Sequence, residues 1–151
     1  MQYSKTGLAL TERFESCRLE AYQDQVGVWT IGWGHTKGVY EGMTCTAEQA
    51  LQWLIQDTLA AATAVNVLVN VPVTQDEFDA LTDFIFNLGA MAFASSTMLR
   101  LLNAGDYEGA AGQFERWDHA GGVEVAGLLR RRKEEEDLFD TSTPPASGTV
   151  T

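Results

Sequence analysis

The stretch FESCRLEAYQDQVGVWTIGWGHT, residues 14–36, marks a change from helical to extended chain. Apolar residues recur at helical spacing up to its start, at Leu10, Phe14 and Cys17. This spacing predicts a first helix over residues 4–17, with Glu15 near its C-terminal end. Over residues 21–36, glycines alternate with aromatic and β-branched residues, which favours short strands joined by tight turns.

The chain after residue 42 has a helical pattern. Thr46 with Gln49 forms a predicted capping box, and the helix that it opens should run to about Val69, before Pro72. Thr74 with Glu77 predicts a second capped helix, up to Gly89. Shorter helices are predicted at about 96–103, 106–117 and 127–138. The pattern indicates an α+β protein: a small N-terminal lobe with a short antiparallel β-sheet, a long connecting helix and a larger all-helical C-terminal lobe.

Length and composition favour one packed domain. A chain of 151 residues with 45% hydrophobic residues can bury a core without metals or disulfides. We predict a single domain over residues 1–140 and a disordered tail over residues 141–151, which is small, polar and proline-bearing. Cys17 and Cys45 are too few for a disulfide framework and are expected to be free, partly buried thiols.

Charge and hydropathy exclude several partners. The net charge of −11 would repel a polyanion, so nucleic acid is not expected to bind. No apolar run is long enough to cross a membrane, and the N-terminus has no continuous apolar core of a signal peptide. We therefore expect no membrane anchor and storage in the cytoplasm.

Glu15, Asp24 and Thr30 are the candidate catalytic residues. No single helix or strand places them on one face, but a helix end that meets a turning hairpin brings them together. A pair of carboxylates is what glycoside hydrolysis needs, one as general acid and one to activate water or attack the sugar. Taken alone, the three residues could equally be a solvated helix carboxylate, a turn residue and a strand former.

Over residues 8–139 the sequence resembles the phage lysozymes of glycoside hydrolase family 24. The family pattern of Glu, eight residues, Asp, five residues and Thr is present as Glu15, Asp24 and Thr30, within AYQDxxGVWTIGWGHT. Further similarity lies in three later stretches, at residues 86–89, 96–103 and 127–132. The resemblance implies a lysozyme-like fold and a muramidase, which hydrolyses the β-1,4 bond between N-acetylmuramic acid and N-acetylglucosamine in peptidoglycan.

The resemblance also implies roles for single residues. Glu15 would be the general acid, Asp24 would position or activate the attacking water with inversion of the anomeric centre, and Thr30 would help to hold that water. The other residues implied are the substrate-binding Phe86 and Asn87, the structural His35, and Arg131 as partner of the catalytic Glu. No metal and no cofactor is expected.

The resemblance further implies a monomeric endolysin that a holin releases from the host cytoplasm and that cuts the wall in the periplasm, causing lysis. Two alternatives stay open. A lytic transglycosylase cuts the same bond without water, and a non-catalytic homologue would only bind peptidoglycan or act as a scaffold. Use as a virion component or as a delivered effector is also compatible with the sequence.

The last predicted helix carries opposite charges in sequence. The run 134–137 is expected to coat a solvent-facing surface, and Arg130 and Arg131 are expected to pair with Glu134 and Glu135 at i,i+4. Arg131 is the exception among these basic residues, because it is also the candidate partner of Glu15.

Overall fold

The computed structural model describes residues 1–120, 123–124 and 126–141. In chain order its elements are α1 (Lys5–Phe14), β1 (Arg18–Gln23), β2 (Trp29–Gly32), α2 (Ala47–Leu68), α3 (Gln75–Leu88), α4 (Ala90–Ala94), α5 (Thr97–Asn103), α6 (Tyr107–Ala111), a 3₁₀ helix (Phe114–Trp117), β3 (His119–Ala120), β4 (Val123–Glu124) and α7 (Ala126–Thr141). The predicted tail lies outside the described residues except for Thr141, which ends α7.

The first helix is shorter than predicted at its C-terminal end. Ser4 caps α1, since its hydroxyl accepts a hydrogen bond from the Gly7 N–H, and the helix ends at Phe14. Glu15 already has extended backbone angles and is the C-cap. The prediction of helix up to residue 17 was wrong because the chain must turn there to enter β1 at Arg18.

The N-terminal lobe is built on an antiparallel hairpin. β1 and β2 pair with Tyr22 opposite Thr30, and the register is interrupted between Arg18 and Tyr22. Residues 43–45 extend this hairpin as a short third segment: Ala21 N–H donates to the Met43 carbonyl and Cys45 N–H to the Leu19 carbonyl. The predicted small sheet is confirmed, with its first strand starting three residues earlier than expected.

α2 connects this hairpin to the helical lobe. Its predicted cap is correct, since the Thr46 hydroxyl accepts a hydrogen bond from the Gln49 N–H. With 22 residues the helix is about 33 Å long, enough to reach from one lobe to the other. None of the helices in the described ranges is both long and apolar enough to span a membrane.

α3 lies at the centre of the C-terminal lobe. The predicted capping box of Thr74 and Glu77 forms with both hydrogen bonds, and residues 77–85 of the helix are buried. α3 packs against α1, α2 and α7. Five buried phenylalanines form much of the core around it: Phe78, Phe84, Phe93, Phe114 and Phe139.

Three local features differ from the predictions. The five-residue helix α4 was missed because AMAFA is too short to show a period. The predicted helix at 106–117 is split at Gly112 into α6 and a 3₁₀ helix. The two-residue pair of β3 and β4 is below the length at which a strand pattern can be recognised.

α7 corrects the prediction of a solvent-facing charged surface. Arg131, Arg132 and Glu135 are buried, because this face of α7 packs against α3. Glu134 pairs with Arg13 of α1 at 2.8 Å instead of with Arg130. The expected i,i+4 contact between Arg131 and Glu135 exists at 3.8 Å, but it lies in the interior. The sequence did not predict this burial, because charged residues are normally exposed. Here they can be buried because Arg131 and Arg132 pair with Glu135.

Candidate active site

Glu15 lies where α1 ends, with its carboxylate about one quarter exposed. Its backbone N–H donates to the Thr11 carbonyl and closes the last turn of the helix. Its Oε2 accepts a hydrogen bond from Nη1 of Arg131 at 2.9 Å. The predicted pairing of Arg131 with Glu15 is therefore present, across 116 residues of sequence.

Gly34 forms the opposite wall around the Glu15 carboxylate. Its φ of +87° lies in the region that glycine adopts most easily. A Cβ built on Gly34 would stand 3.1 Å from Oε1 of Glu15. A glycine at this turn thus lets the backbone after β2 pack against the Glu15 carboxylate. A larger residue at position 34 would displace that carboxylate.

Arg131 is held by a second carboxylate, that of Asp83 on α3. Its Nε donates to Oδ2 at 2.9 Å and its Nη2 to Oδ1 at 2.8 Å, so the pair is bidentate. Oδ1 also accepts from the Thr11 hydroxyl at 2.7 Å. Burial alone would raise the pKa of Asp83, but hydrogen bonds from Glu135 and Arg131 and the charge of Arg131 lower it to about 2.

Glu135 and Arg132 continue this cluster into the core. Arg132 Nη2 donates to Oε2 of Glu135 at 2.8 Å. Burial, followed by a hydrogen bond with Asp83 and the charge of that carboxylate, raises the pKa of Glu135 well above its ordinary value, although Arg132 and Arg131 act in the opposite direction. Nε of Arg132 lies 2.7 Å from Oε1 of Glu135, so Arg132 is the cation nearest to this carboxyl group.

Asp24 organises the turn between β1 and β2. Its Oδ1 accepts hydrogen bonds from the N–H groups of Val26 and Val28, both at 2.9 Å. Its backbone N–H donates to the Val28 carbonyl at 2.9 Å. No donor within the described residues is bonded to Oδ2, so one carboxylate oxygen holds the loop and the other is left for a ligand or water.

Thr30 lies on β2 opposite Tyr22 and is buried. Its hydroxyl donates to the Val28 carbonyl at 2.9 Å. Val28 therefore contacts both Asp24 and Thr30, and the structure brings these two predicted residues to the same turn. The lone pairs of the Thr30 hydroxyl remain available to accept a hydrogen bond.

His35 is held by side-chain contacts to α2. Its Nδ1 lies 2.8 Å from Oδ2 of Asp57 on α2, and its ring stacks on Trp53 with centroids 4.6 Å apart. Its backbone exchanges two hydrogen bonds with Ile31. His35 thus fixes the turn that carries Gly34 onto the connecting helix.

One of the two predicted substrate residues, Phe86, lies at a cavity of about 290 Å³ between α2 and α3. Phe86 lines it together with Asp57, Ala60, Ala61, Ile85, Gly89 and Ala90. Asn87 is half-buried and is not part of that lining. Its Oδ1 is buried without a hydrogen-bond partner within the described residues.

The arrangement as a whole has the components of a glycosidase site. It contains a partly exposed carboxylate held by a guanidinium, a second carboxylate on the turn between β1 and β2, and a cavity between α2 and α3. None of the described residues forms a group of three or more His, Cys, Asp or Glu that could bind a metal. Fold and site thus define a two-lobed protein of the glycosidase class.

Comparison with known proteins gives the family. The family model described as "Phage lysozyme" matches residues 12–135. The endolysin of Salmonella phage P22 is 44% identical over 144 residues, which cover 92% of this chain and 98% of the relative. The endolysin of Acyrthosiphon pisum secondary endosymbiont phage 1 is 40% identical, covering 94% of this chain and all of the relative. The chain belongs to the phage lysozyme family.

A solved structure agrees with this assignment. The muramidase domain of SpmX from Asticaccaulis excentricus is 41% identical with a TM-score of 0.87, covering 95% of this chain and 99% of that domain. The resemblance drawn from the sequence, the lysozyme-like α+β fold and the endolysin-type lysozyme function are confirmed.

Sequence reasoning missed four residues that the structure places around the predicted ones. These residues are Gly34, Trp53, Asp57 and Asp83. Gly34 could have been found, since it stands between Trp33 and His35 in the matching stretch. Asp83 could not, because nothing in the helical pattern of α3 distinguishes a buried aspartate from a solvated one.

Proposed function

We propose that this chain hydrolyses the β-1,4 bond between N-acetylmuramic acid and N-acetylglucosamine in peptidoglycan. Glu15 donates its proton to the glycosidic oxygen, and Asp24 takes a proton from the attacking water, which Thr30 helps to hold. The observation that carries the proposal is the placement of the Glu15 carboxylate, which is partly exposed and held between Gly34 and Arg131. The muramidase domain named above supports the choice of bond.

The hydrogen bonds of Asp24 and Thr30 support the use of water as nucleophile. One oxygen of Asp24 is occupied by two loop N–H groups, which fixes the direction of the carboxylate. The other oxygen and the Thr30 hydroxyl can bind one water molecule together. A water molecule activated by a base, on the face of the sugar opposite the acid, gives inversion of the anomeric centre.

Substitution of Glu15 tests the proposal. We expect Glu15→Gln to lower the rate of wall clearing by at least about 10²-fold, because the glutamine amide cannot donate a proton to the leaving oxygen. Glu12→Gln, on the same helix, is the matched control and should keep the parent's rate. Equal clearing by the Glu15→Gln variant and the parent would refute the assignment of the acid.

The products separate hydrolysis from the alternatives. Mass spectrometry of digested peptidoglycan should show reducing N-acetylmuramic acid ends, with the α-anomer formed first. Anhydromuramoyl ends would show a lytic transglycosylase instead. Binding to the wall without release of fragments would show a non-catalytic homologue.

The biological setting belongs to the same proposal. We infer a monomer with one catalytic domain over residues 1–140, a C-terminal tail after it, and release through a holin to act in the periplasm. The endolysin relatives support this setting by their names alone. Sedimentation at several concentrations should give a single species of 16.5 kDa, and co-expression with a holin should be needed for lysis from within.

A further inference from the structure

The position of Arg131 poses a chemical problem for the proposed acid. A general acid must hold its proton until the substrate takes it, but a guanidinium 2.9 Å away favours the charged carboxylate. An opposite charge at such a distance lowers a carboxyl pKa by about one to three units unless something offsets it. The group that supplies this offset has to lie on the other side of Arg131.

Asp83 occupies that position. It is fully buried on α3 and takes both Nε and Nη2 of the guanidinium, so that Nη1 remains for Glu15. A guanidinium is planar, and two hydrogen bonds on one edge fix the plane and therefore the direction of Nη1. The Phe14 ring lies 5.5 Å from the guanidinium carbon and limits its movement further.

Asp83 is itself fixed by two hydroxyl groups, from Thr11 of α1 and from Tyr3 just before that helix. The Thr11 hydroxyl donates to Oδ1 at 2.7 Å, and the Tyr3 hydroxyl lies 2.7 Å from that of Thr11. Glu15 ends the same helix four residues after Thr11. The two carboxylates that bind Arg131 are therefore both positioned by α1: Asp83 through its hydrogen bond from Thr11, and Glu15 as the C-cap of the helix.

The other charged groups around Arg131 are less well placed than Asp83 to offset the charge of its guanidinium. Glu135 lies farther from Arg131, with Oε2 at 3.8 Å from Nε, and it pairs more closely with Arg132, whose Nε is 2.7 Å from Oε1. Several charged groups of adjoining elements have other partners: Arg13 pairs with Glu134, His35 with Asp57, and Asp79 accepts hydrogen bonds from Ser4 and Gln75. Among the described residues, Asp83 is thus the buried carboxylate that forms a bidentate pair with the guanidinium of Arg131.

We propose that Asp83 is a positioning residue for the general acid. It fixes the plane of the Arg131 guanidinium so that Nη1 faces Glu15, and its charge offsets that of Arg131 so that Glu15 can keep a proton. This inference rests on the proposed role of Glu15.

The pH profile of kcat/KM for Asp83→Asn tests this role. The alkaline limb of the profile reports loss of the proton from the acid of the free enzyme. Asn keeps an acceptor for Arg131 but removes the offsetting charge, so we expect the limb to move to lower pH by about one pH unit. Above the limb, kcat/KM should then fall about tenfold relative to the parent.

Asp79→Asn is the matched control. Asp79 is equally buried, lies one turn before Asp83 on α3 and accepts hydrogen bonds from Ser4 and Gln75, not from Arg131. A merely structural role of a buried aspartate predicts the same behaviour for both variants. A limb that moves in Asp83→Asn alone supports the proposal; a folded Asp83→Asn protein with the parent's limb overturns it.

A second pair of variants keeps the test open if Asp83→Asn does not fold. Removing both members of a buried ion pair is tolerated better than removing one. Arg131→Gln leaves the charge of Asp83 facing Glu15 and should move the limb to higher pH. The double variant Asp83→Asn/Arg131→Gln should move it back down by about one pH unit. Equal limbs in these two variants would contradict the proposal.

¹³C NMR titration of the Glu15 carboxyl gives a readout that needs no activity. The titration midpoint should move in the same directions as the kinetic limb in all four variants. Failure of this inference is also distinguishable from failure of the proposed function. If Glu15 is not the acid, Glu15→Gln keeps activity; if only the role of Asp83 is wrong, Glu15→Gln is inactive and the Asp83 variants keep the parent's limb.

Discussion

At the scale of single residues, the position of the Glu15 carboxylate depends on Gly34, which has no side chain, and on Arg131, which is distant in sequence. The missing Cβ of Gly34 leaves room for Oε1, and Nη1 of Arg131 binds Oε2. Each contact constrains one oxygen of the carboxylate. Together they fix the position of the carboxyl group that we propose as the general acid.

Gly34→Ala should therefore lower activity more than its backbone strain accounts for. Alanine at this positive φ costs about 1 kcal/mol of stability, and its Cβ would push against Oε1 of Glu15. The matched control is Gly38→Ala, which has a φ of +73° but no atom within 4 Å of the added Cβ. Urea unfolding should show similar losses for both variants, and wall clearing a loss of at least about tenfold for Gly34→Ala alone. Equal activities would contradict the contact.

The two oxygens of Asp24 should be separable by substitution. Asp24→Asn keeps an oxygen to accept from Val26 and Val28 but lacks the base, whereas Asp24→Ala loses both functions. Both variants should lose wall-clearing activity, but only Asp24→Ala should also lose stability, by about 1 kcal/mol. Thermal unfolding measured beside the activity assay checks this. Full activity in Asp24→Asn would exclude Asp24 as the base.

At the scale of elements, α7 shows how a polar sequence can form a buried face. Arg131, Glu135 and Phe139 follow each other at four-residue spacing and are all buried. Beside this face, Glu136 lies close to other acidic side chains. Burial, then a hydrogen bond with Glu115 and the charges of Glu115, Asp140 and Asp137, raise the pKa of Glu136 to about 7.

This crowding predicts a pH-dependent stability. A carboxyl whose pKa is raised in the folded state stabilises that state while it is protonated, and the contribution is lost as pH rises from about 4.5 to about 7. Glu136→Gln remains neutral at all pH values, so it should melt at a higher temperature than the parent at pH 8 but not at pH 4.5. Glu134→Gln, which loses the ion pair with Arg13, should show no gain at pH 8. A gain for Glu136→Gln that is the same at both pH values would argue against titration as its cause.

At the scale of the whole molecule, the net charge of −11 opposes the approach to an anionic wall. The buried guanidiniums of Arg131 and Arg132 do not change this, because they are paired inside the protein. The repulsion acts over the Debye length, which is about 30 Å at 0.01 M salt and about 10 Å at 0.1 M.

Wall-clearing rates should accordingly rise with added salt at low ionic strength. Peptidoglycan whose carboxylates have been amidated is the control substrate, and its cleavage should respond little to salt because the repulsion is gone. The measurement is the initial rate between 0.01 and 0.1 M NaCl, over which the Debye length falls from about 30 to about 10 Å. A flat or falling curve on native walls would show that global repulsion does not limit the reaction.

The sequence by itself determined the features that depend on near neighbours. Thr46 and Thr74 capped the predicted helices, because a cap is a bond between residues three apart. The spacing of Glu15, Asp24 and Thr30 within one turning stretch led to the family, and the hairpin brings Asp24 and Thr30 to the same turn through Val28. Helix ends that depend on the next element, such as residue 17 in α1, were wrong because local spacing carries no information about where the chain must turn.

Only the tertiary structure decided which charged side chains are buried and which residues they pair with. Arg131 meets Glu15 and Asp83 from separations of 116 and 48 residues, and the letters of α7 resemble those of a solvated helix. Burial of a charge is permitted by its partners, and those partners come from α1 and α3 through packing alone. The stretch that contains Glu15, Asp24 and Thr30 could be recognised from the sequence because it is local, whereas the cluster of Arg131 and Asp83 beside Glu15 forms only when α1, α3 and α7 pack together.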